Sequence, residues 1–470
     1  MSDEENQKVQ QINIFLDSIG WGKYSTFNFI VCGGAWFSIT YLSTAVSFLM
    51  RSAKDEWDLE SYEVGLINTA HMSGIFLGSA ILGLIGDRYG RVYAFKISGI
   101  MSVIGALLLT FSQNYAMLIP FTFIEGLGAG GELATGGPSY LEACPPKKRW
   151  TLVLISACWI VGAIGASLIA LIFTVSGFFD IEIWRIVTFC GAIIEFINWV
   201  PRLFLYESSR YLLIHHRDDE SEKVLCNIAR INRSDIKPKF EVQIEESRLS
   251  ESLKGEGTRE RLVHKANTKD SLKMILGKKY IKYTLLFTFT LMLVEIAYST
   301  MASFMPIFLD KVGGKVSGDT QLYYTLIIQQ SVGIPGIFLS TYLVETRLGR
   351  RWTISISFLI MGVLIFLFYS ADSYPLLVVF SSLMFFFNYL GYSALYTMIA
   401  EFFPTEVRSI AVGWTNSWNK FAGVVTPAII GVLLGMPGGL TISILICSIG
   451  SISSGLLCMK LPETKGAELG

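Results

Sequence analysis

Apolar residues occur along this chain in long runs separated by short polar segments. A helix needs roughly 20 mostly apolar residues to cross the hydrocarbon core of a bilayer, which is about 30 Å thick. Runs of this length recur along the whole chain. The pattern predicts an all-α membrane protein with twelve transmembrane helices. The predicted spans are 27–49, 64–85, 94–111, 115–141, 151–176, 184–205, 281–309, 322–344, 352–370, 374–400, 410–435 and 440–459.

The spans fall into two groups of six with a polar segment between them. We expect an N-terminal segment at 1–26, a six-helix bundle at 27–205, a linker at 206–280, a second bundle at 281–459 and a tail at 460–470. The linker is rich in charge and poor in apolar residues. Short amphipathic helices or disorder are therefore expected there, and a catalytic domain is not.

An internal repeat supports this division. GDRYGR at 86–91 is matched by ETRLGR at 345–350, and EACPPKKR at 142–149 is matched by EFFPTEVR at 401–408. Both pairs are separated by the same 259 residues. Two copies of one helical unit are typical of transporters that bind their substrate between the two halves, near the middle of the membrane.

Composition agrees with a membrane protein, since 52% of the 470 residues are hydrophobic and 16% are charged. The 38 basic and 38 acidic residues cancel, which gives no indication of a nucleic-acid partner. The N-terminus lacks the pattern of a cleavable signal peptide, so the first span is expected to direct insertion. The seven cysteines include no C-x-x-C pair and are expected to be buried thiols, with neither disulfide nor metal.

Basic residues indicate the orientation of the chain. Lys and Arg are concentrated in the short loops on the N-terminal side of the spans, whereas the first loop on the other side is acidic. Because basic loops stay in the cytoplasm, both termini and the linker are expected to be cytoplasmic. The membrane itself is expected to be the plasma membrane or that of an intracellular vesicle.

Several motifs carry a resemblance to a known family. Together they resemble the signatures of the major facilitator superfamily of transporters, and within it the synaptic vesicle protein 2-related and niacin-type branch of organic-ion and sugar porters. The motifs are IGWGKYSTFNF at 19–29, GLIGDRYGR at 83–91, GAGGELATGGPSYLEACP at 128–145, YESSRYL at 206–212, RLGRR at 347–351, KFAGVVTP at 420–427 and PETKG at 462–466.

The resemblance implies two pseudo-symmetric six-helix bundles that transport a small organic solute by alternating access. It also implies that charged residues of the repeated motifs gate the cytoplasmic side through pairs of Arg with Asp or Glu. The expected gating residues are Asp87, Arg88, Gly90, Arg91, Glu142, Arg149, Glu207, Arg210, Glu345, Arg347, Arg350, Glu401, Arg408 and Glu463.

The chain departs from the pattern of that branch at three positions. Span one usually carries acids near its start, but GGAWFSITYLST at 33–44 has none. Thr122 stands where span four often has Arg, and Thr346 stands where the second-half motif usually has Asp, with Glu345 beside it. Proton coupling is therefore left open.

The stretch FIEGLGAGGELATGGPSY at 123–140 places two acids in span four. Its G-x-G-x-x-G spacing lacks the strand-to-helix context of a nucleotide site, so the glycines are interpreted as sites of close helix contact. Glu125 and Glu132 are two turns apart and share a helix face. A carboxylate near mid-bilayer costs on the order of 3 kcal/mol, so each is expected to face a cavity or a partner.

Other polar residues within the spans are candidates for the same cavity. Glu295 in span seven is expected there, whereas Glu195 in span six is expected either there or in an ion pair with Arg185 or Arg202. Lys420 in span eleven is expected to bind an anionic group, to pair with Glu295, or to snorkel to the surface. Asn416 shares its face, and His71 is either a proton-sensitive group or a packed side chain. Further candidates are Trp36, Tyr41, Trp159, Tyr298, Asn388 and Tyr392.

The sequence therefore favours a secondary active transporter, proton-coupled if one of the carboxylates titrates, that acts as a monomer without a cofactor. Its expected partners are a small organic anion, organic cation or sugar, together with the lipid bilayer. The alternative is a membrane receptor or vesicle component that keeps the fold without transporting. An enzyme is not expected, because the chain has neither HExxH nor GxSxG nor a metal-spaced cluster of His and Cys.

Overall fold

The structure is a computed structural model of the chain. It describes residues 3–148, 151–177, 181–234, 273–312, 319–371, 373–403 and 405–464. Within these residues the fold is helical.

The first half begins with a short helix and continues with six long ones. Helices α2 to α7 correspond to the predicted spans one to six, and two shorter helices follow them. The bounds are α1 Asp3–Ile19, α2 Lys23–Glu56, α3 Ser61–Tyr89, α4 Arg91–Thr110, α5 Tyr115–Ala143, α6 Thr151–Ser176, α7 Ile183–Arg202, α8 Ser209–Ile214 and α9 Asp218–Ile231.

The second half repeats the pattern with six long helices, which correspond to spans seven to twelve. The bounds are α10 Ile281–Val312, α11 Asp319–Val344, α12 Gly349–Tyr369, α13 Tyr374–Phe402, α14 Thr405–Leu434 and α15 Gly439–Cys458. Most of the predicted linker, from 235 to 272, lies outside the described residues.

Eleven of the twelve long helices are long and apolar enough to cross a membrane. The exception is α5, whose 29 residues include Glu125, Glu132 and a run of glycines that lower its hydropathy. The helix packs against both α3 and α4. The prediction of an all-α, twelve-helix membrane architecture is confirmed.

The glycines of α5 allow this close packing. A Cβ added at Gly126 would lie 2.3 Å from the carbonyl oxygen of His71 in α3, and one at Gly128 would lie 2.3 Å from the backbone nitrogen of Ser102 in α4. Such distances leave no room for a side chain, so small residues are required where the helix backbones meet. The interpretation of the glycine run as a helix-contact surface is confirmed.

A helical cluster at the N-terminal end was not predicted in the segment 1–26. Ile12, Phe15 and Leu16 of α1 pack against Leu225 of α9 and the neighbouring Leu213. We call the end of the bundle that carries this cluster the N-terminal face. Helix α1 forms because its apolar residues recur at helical spacing and find a covered surface on α8 and α9.

The two halves meet close to the face opposite this cluster. A Cβ on Gly65, near the start of α3, would lie 2.9 Å from the Cα of Gly431, near the end of α14. Phe48 of α2 and Tyr323 of α11 pack edge to face with ring centroids 5.2 Å apart. Both contacts lie at helix ends remote from the N-terminal face, so the halves are tightly joined on the opposite face.

Candidate functional site

The repeated motifs form two matching turns at the N-terminal face. Gly90, between α3 and α4, has φ +119°, a backbone conformation that strains any residue with a side chain. Glu207 lies beside it and accepts hydrogen bonds from the backbone nitrogens of Val92 (3.1 Å) and Tyr93 (3.2 Å). A carboxylate at a helix start satisfies free N–H groups and complements the helix dipole. Glu207 thus caps α4.

The second half repeats this arrangement. Gly349 has φ +67°, and Glu463 accepts hydrogen bonds from the backbone nitrogens of Arg350 (2.9 Å) and Arg351 (3.0 Å) at the start of α12. The two acids come from the segments that follow spans six and twelve. They therefore join the last segment of each half to its third helix.

Arginines of the repeated motifs pair with acids of the same half. Arg91 bonds Glu142 at 3.0 Å, and Arg350 bonds Glu401 at 3.0 Å and Glu345 at 2.8 Å. Glu345 thus supplies a carboxylate to Arg350 where the motif usually has Asp at the next position. In this structure these pairs hold each half together and do not join the two halves.

The remaining motif residues lie near this face. Asp87 is 3.7 Å from Arg91, with 70% of its side chain exposed. The Arg88 carbonyl accepts a hydrogen bond from Tyr211, and Arg210 bonds Asn13 of α1. Arg347 is exposed. The whole of Arg149 and the side chain of Arg408 lie outside the described residues.

The first half contains an ion triad that is closed off from solvent. Arg202, at the end of α7, bonds Glu132 of α5 and Glu195 of α7, each at 2.7 Å, and all three residues are buried. The predicted pairing of Glu195 with Arg202 is confirmed, whereas Arg185 pairs with Glu56 at 3.1 Å. Glu132 therefore faces a partner, one of the two environments expected for it.

Glu125 is also enclosed. Its Oε2 lies 2.7 Å from Nδ1 of His71, whose Nε2 lies 3.1 Å from the hydroxyl of Ser43. The three side chains connect α2, α3 and α5 in one buried chain. Glu125 therefore faces a partner, one of the two environments expected for it, and His71 is that partner.

Glu295 has a different environment. It lies near the middle of α10, and its Oε2 accepts a hydrogen bond of 2.7 Å from the hydroxyl of Tyr392. Asn419 of α14 also reaches this oxygen, at 3.3 Å, when its amide nitrogen is turned towards the Leu291 carbonyl. The other oxygen, Oε1, is 3.3 Å from where a Cβ on Gly423 would lie. No ion pair to Glu295 is present within the described residues, so its charge is held by neutral groups.

Aromatic side chains surround this carboxylate. Tyr298 contacts the rings of Tyr389 and Tyr392, each with centroids 6.3 Å apart, and Tyr392 stacks near Tyr396 at 5.4 Å. The indole of Trp159 in α6 reaches the Tyr298 hydroxyl from the other half. Trp159 in turn packs edge to face with Trp36 of α2 at 6.3 Å. We call these six residues the aromatic cluster; all of them are half-buried and lie where the two halves meet, a region that we call the gap.

Lys420 lies on the inner side of α14. It is half-buried and points away from Trp418, which is 38% exposed on the outer side. Within the described residues Lys420 forms neither an ion pair nor a hydrogen bond, so the expected pairing with Glu295 is not formed here. Asn416, one turn earlier, has a buried side-chain oxygen without a partner.

Two other candidates are buried. Tyr41 is fully enclosed and donates a hydrogen bond to the carbonyl of Val187 at 3.1 Å, so it packs between helices and does not face the gap. Asn388 is 2% exposed, and its side-chain oxygen has no hydrogen-bond partner among the described residues.

Three residues near Glu295 were missed from the sequence. Tyr389 and Tyr396 lie three residues before and four after Tyr392, so the three rings share one face of α13. This helical spacing could have identified both tyrosines from the sequence. Asn419 carried no such signal, because its place beside Glu295 depends on the rotation of α14 against α10.

Comparison with known proteins is consistent with this architecture. The sugar (and other) transporter family model matches residues 24–470. Organic cation/carnitine transporter 7 of Arabidopsis thaliana is 27% identical and covers 97% of this chain and 94% of its own length. The putative niacin/nicotinamide transporter NiaP of Bacillus subtilis (strain 168) is 24% identical, with 86% of this chain and 87% of its own length covered.

A solved structure shares the fold. The inward open conformation of the xylose transporter XylE from E. coli superposes with a TM-score of 0.70 at 15% identity, covering 94% of this chain and 97% of the other. The resemblance to major facilitator transporters is thereby confirmed, and the protein is a transporter rather than an enzyme. The chain belongs to the sugar (and other) transporter family, as a multi-pass integral membrane protein.

Proposed function

We propose that this protein transports a small organic cation by alternating access and binds it between Glu295 and the aromatic cluster. The observation that carries the proposal is the state of Glu295, a mid-membrane carboxylate that is 7% exposed and held by a tyrosine hydroxyl and an amide. A charge near mid-bilayer is costly when no counter-charge is present. A cationic substrate would supply that counter-charge.

The aromatic cluster fits the same substrate class. Ammonium groups are attracted to the faces of Tyr and Trp rings, by about 2 kcal/mol or more when water is excluded. Four tyrosines from the second half and two tryptophans from the first supply such faces on both sides of the gap. The similarity to a plant organic cation/carnitine transporter supports this choice.

The transport path runs between two halves, which we propose to be the bundles at 27–205 and 281–459. The tight contacts at Gly65 and Phe48 support a state that is closed on the opposite face and open towards the N-terminal face. We place both termini in the cytoplasm, because basic residues concentrate in the loops of the N-terminal face. The state described here is then inward-open. One chain supplies both halves, so we propose that the monomer is the working unit.

A second candidate substrate is a small organic anion bound to Lys420. The observation that favours it is the lack of a partner for this half-buried ammonium on the inner side of α14. The similarity to a putative niacin/nicotinamide transporter supports this alternative. The two substrate classes depend on different charges, so single substitutions distinguish them.

The test is uptake into proteoliposomes that contain the full-length protein. Labelled tetraethylammonium, nicotinate and xylose are each offered with and without a pH gradient. We expect uptake of tetraethylammonium that falls at least tenfold in Glu295→Gln and persists in Lys420→Ala. Nicotinate uptake that is lost in Lys420→Ala instead would establish the anion. If none of the three solutes enters, the cation proposal fails and the non-transporting alternative gains support.

A further inference from the structure

The ion triad of the first half contains more acids than bases. Glu132 and Glu195 both bond Arg202, at 2.7 Å each, and Glu132 makes a second bond to the same guanidinium at 3.4 Å. All three residues are fully buried. If both carboxylates were ionised, the triad would carry one uncompensated negative charge inside the membrane.

An uncompensated charge in this position is expensive. A buried carboxylate is stabilised only when a counter-charge and hydrogen bonds replace the lost water, and one guanidinium neutralises only one of the two acids. Glu195 Oε2 has no hydrogen-bond partner among the described residues, although it is buried. Both carboxylates bond the same guanidinium, so they lie close together. Two carboxylates at close range repel each other when both are ionised, and a proton on one of them removes the repulsion.

The neighbouring helices do not supply the missing charge. Helix α4 contributes the ring of Phe95, 4.5 Å from the Arg202 guanidinium, and the backbone at Gly99. Helix α2 contributes the Cys32 thiol and the hydroxyl of Ser38. Cys32 carries no positive charge, and the ammonium of Lys96 in α4 bonds the carbonyls of Leu203 and Leu205 rather than a carboxylate of the triad.

The triad is connected to the first transmembrane helix. Asn198, one turn after Glu195, donates to the carbonyl of Gly34 at 3.1 Å and to the hydroxyl of Ser38 at 2.8 Å, while Ser38 lies beside Glu195. Helix α2 has no acid of its own in this region. Glu195 of α7 therefore lies against a part of α2 that has no acid of its own.

We propose that Glu132, Glu195 and Arg202 form a proton-binding site inside the N-terminal bundle, distinct from the substrate site around Glu295. One proton forms an O–H bond on a carboxylate oxygen of Glu132 or Glu195 and is shared by the pair. When the proton leaves to water, a net negative charge develops at the contact between α2 and α7. Gain and loss of the proton thereby change how tightly α2 packs against α7.

The experiment is infrared difference spectroscopy on the full-length protein in lipid vesicles, which follows the C=O stretch of a buried carboxylic acid. Wild type is expected to show this band, and its intensity should fall as the pH is raised, since a bound proton has to exchange with solvent. Glu195→Gln and Glu132→Gln are each expected to remove the band. Either variant leaves one carboxylate opposite one guanidinium, which keeps a neutral pair in the fold.

The matched control is Glu56→Gln, which removes a carboxylate from the one-to-one pair with Arg185 and should leave the band unchanged. A band that survives both triad variants would overturn the proposal. So would a wild-type band that does not change with pH, since the proton would then be a fixed part of the fold. The measurement uses no organic solute, so it can succeed or fail independently of the proposed substrate.

Discussion

The two halves of the molecule hold their mid-membrane carboxylates in opposite ways. In the first half, Glu132 and Glu195 share the guanidinium of Arg202 and have no contact with solvent. In the second half, Glu295 is held by Tyr392 and Asn419, beside half-buried aromatic rings. In the first half, a guanidinium compensates buried acids inside one bundle. In the second half, neutral groups hold a carboxyl group at the gap between the bundles.

The difference shows that depth in the membrane does not by itself identify a binding residue. A carboxylate loses its hydration in both settings, so the groups that replace the lost water determine its role. The guanidinium of Arg202 already supplies a counter-charge to the acids that it bonds, so a cationic ligand gains less there. A hydroxyl and an amide stabilise the acid only in part, so a cationic ligand still gains from approaching it.

The largest effect is expected when Arg202 is replaced. Arg202→Met leaves two carboxylates buried without a counter-charge, which is expected to lower the free energy of unfolding by about 3–5 kcal/mol. Thermal unfolding of the purified protein in detergent measures this loss. The control is Arg217→Met, because Arg217 and Glu220 form a pair that is about half exposed, and solvent and salt screen such pairs so that they contribute little to stability. Equal losses in the two variants would contradict a stabilising role of the triad.

A second prediction concerns the charge of the other half. Glu295→Gln keeps the shape of the side chain and removes its charge, so the KM for tetraethylammonium uptake should rise at least tenfold, equivalent to about 1.4 kcal/mol or more of binding free energy. The unfolding temperature should change little, since no described ion pair is lost. Normal uptake by the Gln variant would mean that Glu295 does not contact the substrate.

A third prediction tests how the halves are joined. Gly431→Ala places a methyl group 2.8 Å from the Cα of Gly65, and overpacking of this kind costs about 1–3 kcal/mol. Separation of α3 from α14 should increase labelling of a cysteine placed at Ser61 by a membrane-impermeant maleimide. Gly413→Ala is the control, since a Cβ there meets nothing within 4 Å. Equal labelling in both variants would show that this contact does not close the opposite face.

The smallest effect is expected at the hydroxyl that holds Glu295. Tyr392→Phe removes one hydrogen bond to a carboxylate and keeps the ring, so the KM for tetraethylammonium should rise about fivefold, equivalent to about 1 kcal/mol of binding free energy. Tyr396→Phe, in the same aromatic cluster, is the control and should have less effect. If the two variants behave alike, the ring faces rather than the hydroxyl to Glu295 determine binding.

Much of the architecture could be predicted from the sequence. Apolar runs of spanning length predicted the helices, because a helix surrounded by lipid or by other helices has to be apolar along its length. The repeat predicted two matching halves, and the structure shows the same capping acid at Glu207 and Glu463 in both. The motifs predicted the family for the same reason, since they mark the same turns in each half.

The environment of each acid could not be predicted in the same way. Glu132 meets Arg202 across 70 residues of sequence, and the meeting depends on how α5 and α7 are rotated against each other. The spacing of seven between Glu125 and Glu132 showed that they share a helix face, but not that His71 and Arg202 are their partners. The helix at Asp3–Ile19 was missed for a different reason, because its apolar positions were hidden in a segment dominated by charge.

The composition of α5 has a consequence for how the chain enters the membrane. Each of its two carboxylates adds on the order of 3 kcal/mol to the transfer of an isolated helix into lipid, and its glycines contribute little apolar surface in return. Helix α5 therefore inserts poorly as a single segment. Its stable integration requires α3 and α4 to be in the bilayer already, and the counter-charge of Glu132 follows with Arg202 of α7. The fourth span is thus stabilised by neighbouring helices more than by lipid, and the N-terminal bundle closes around it only after the sixth span has been made.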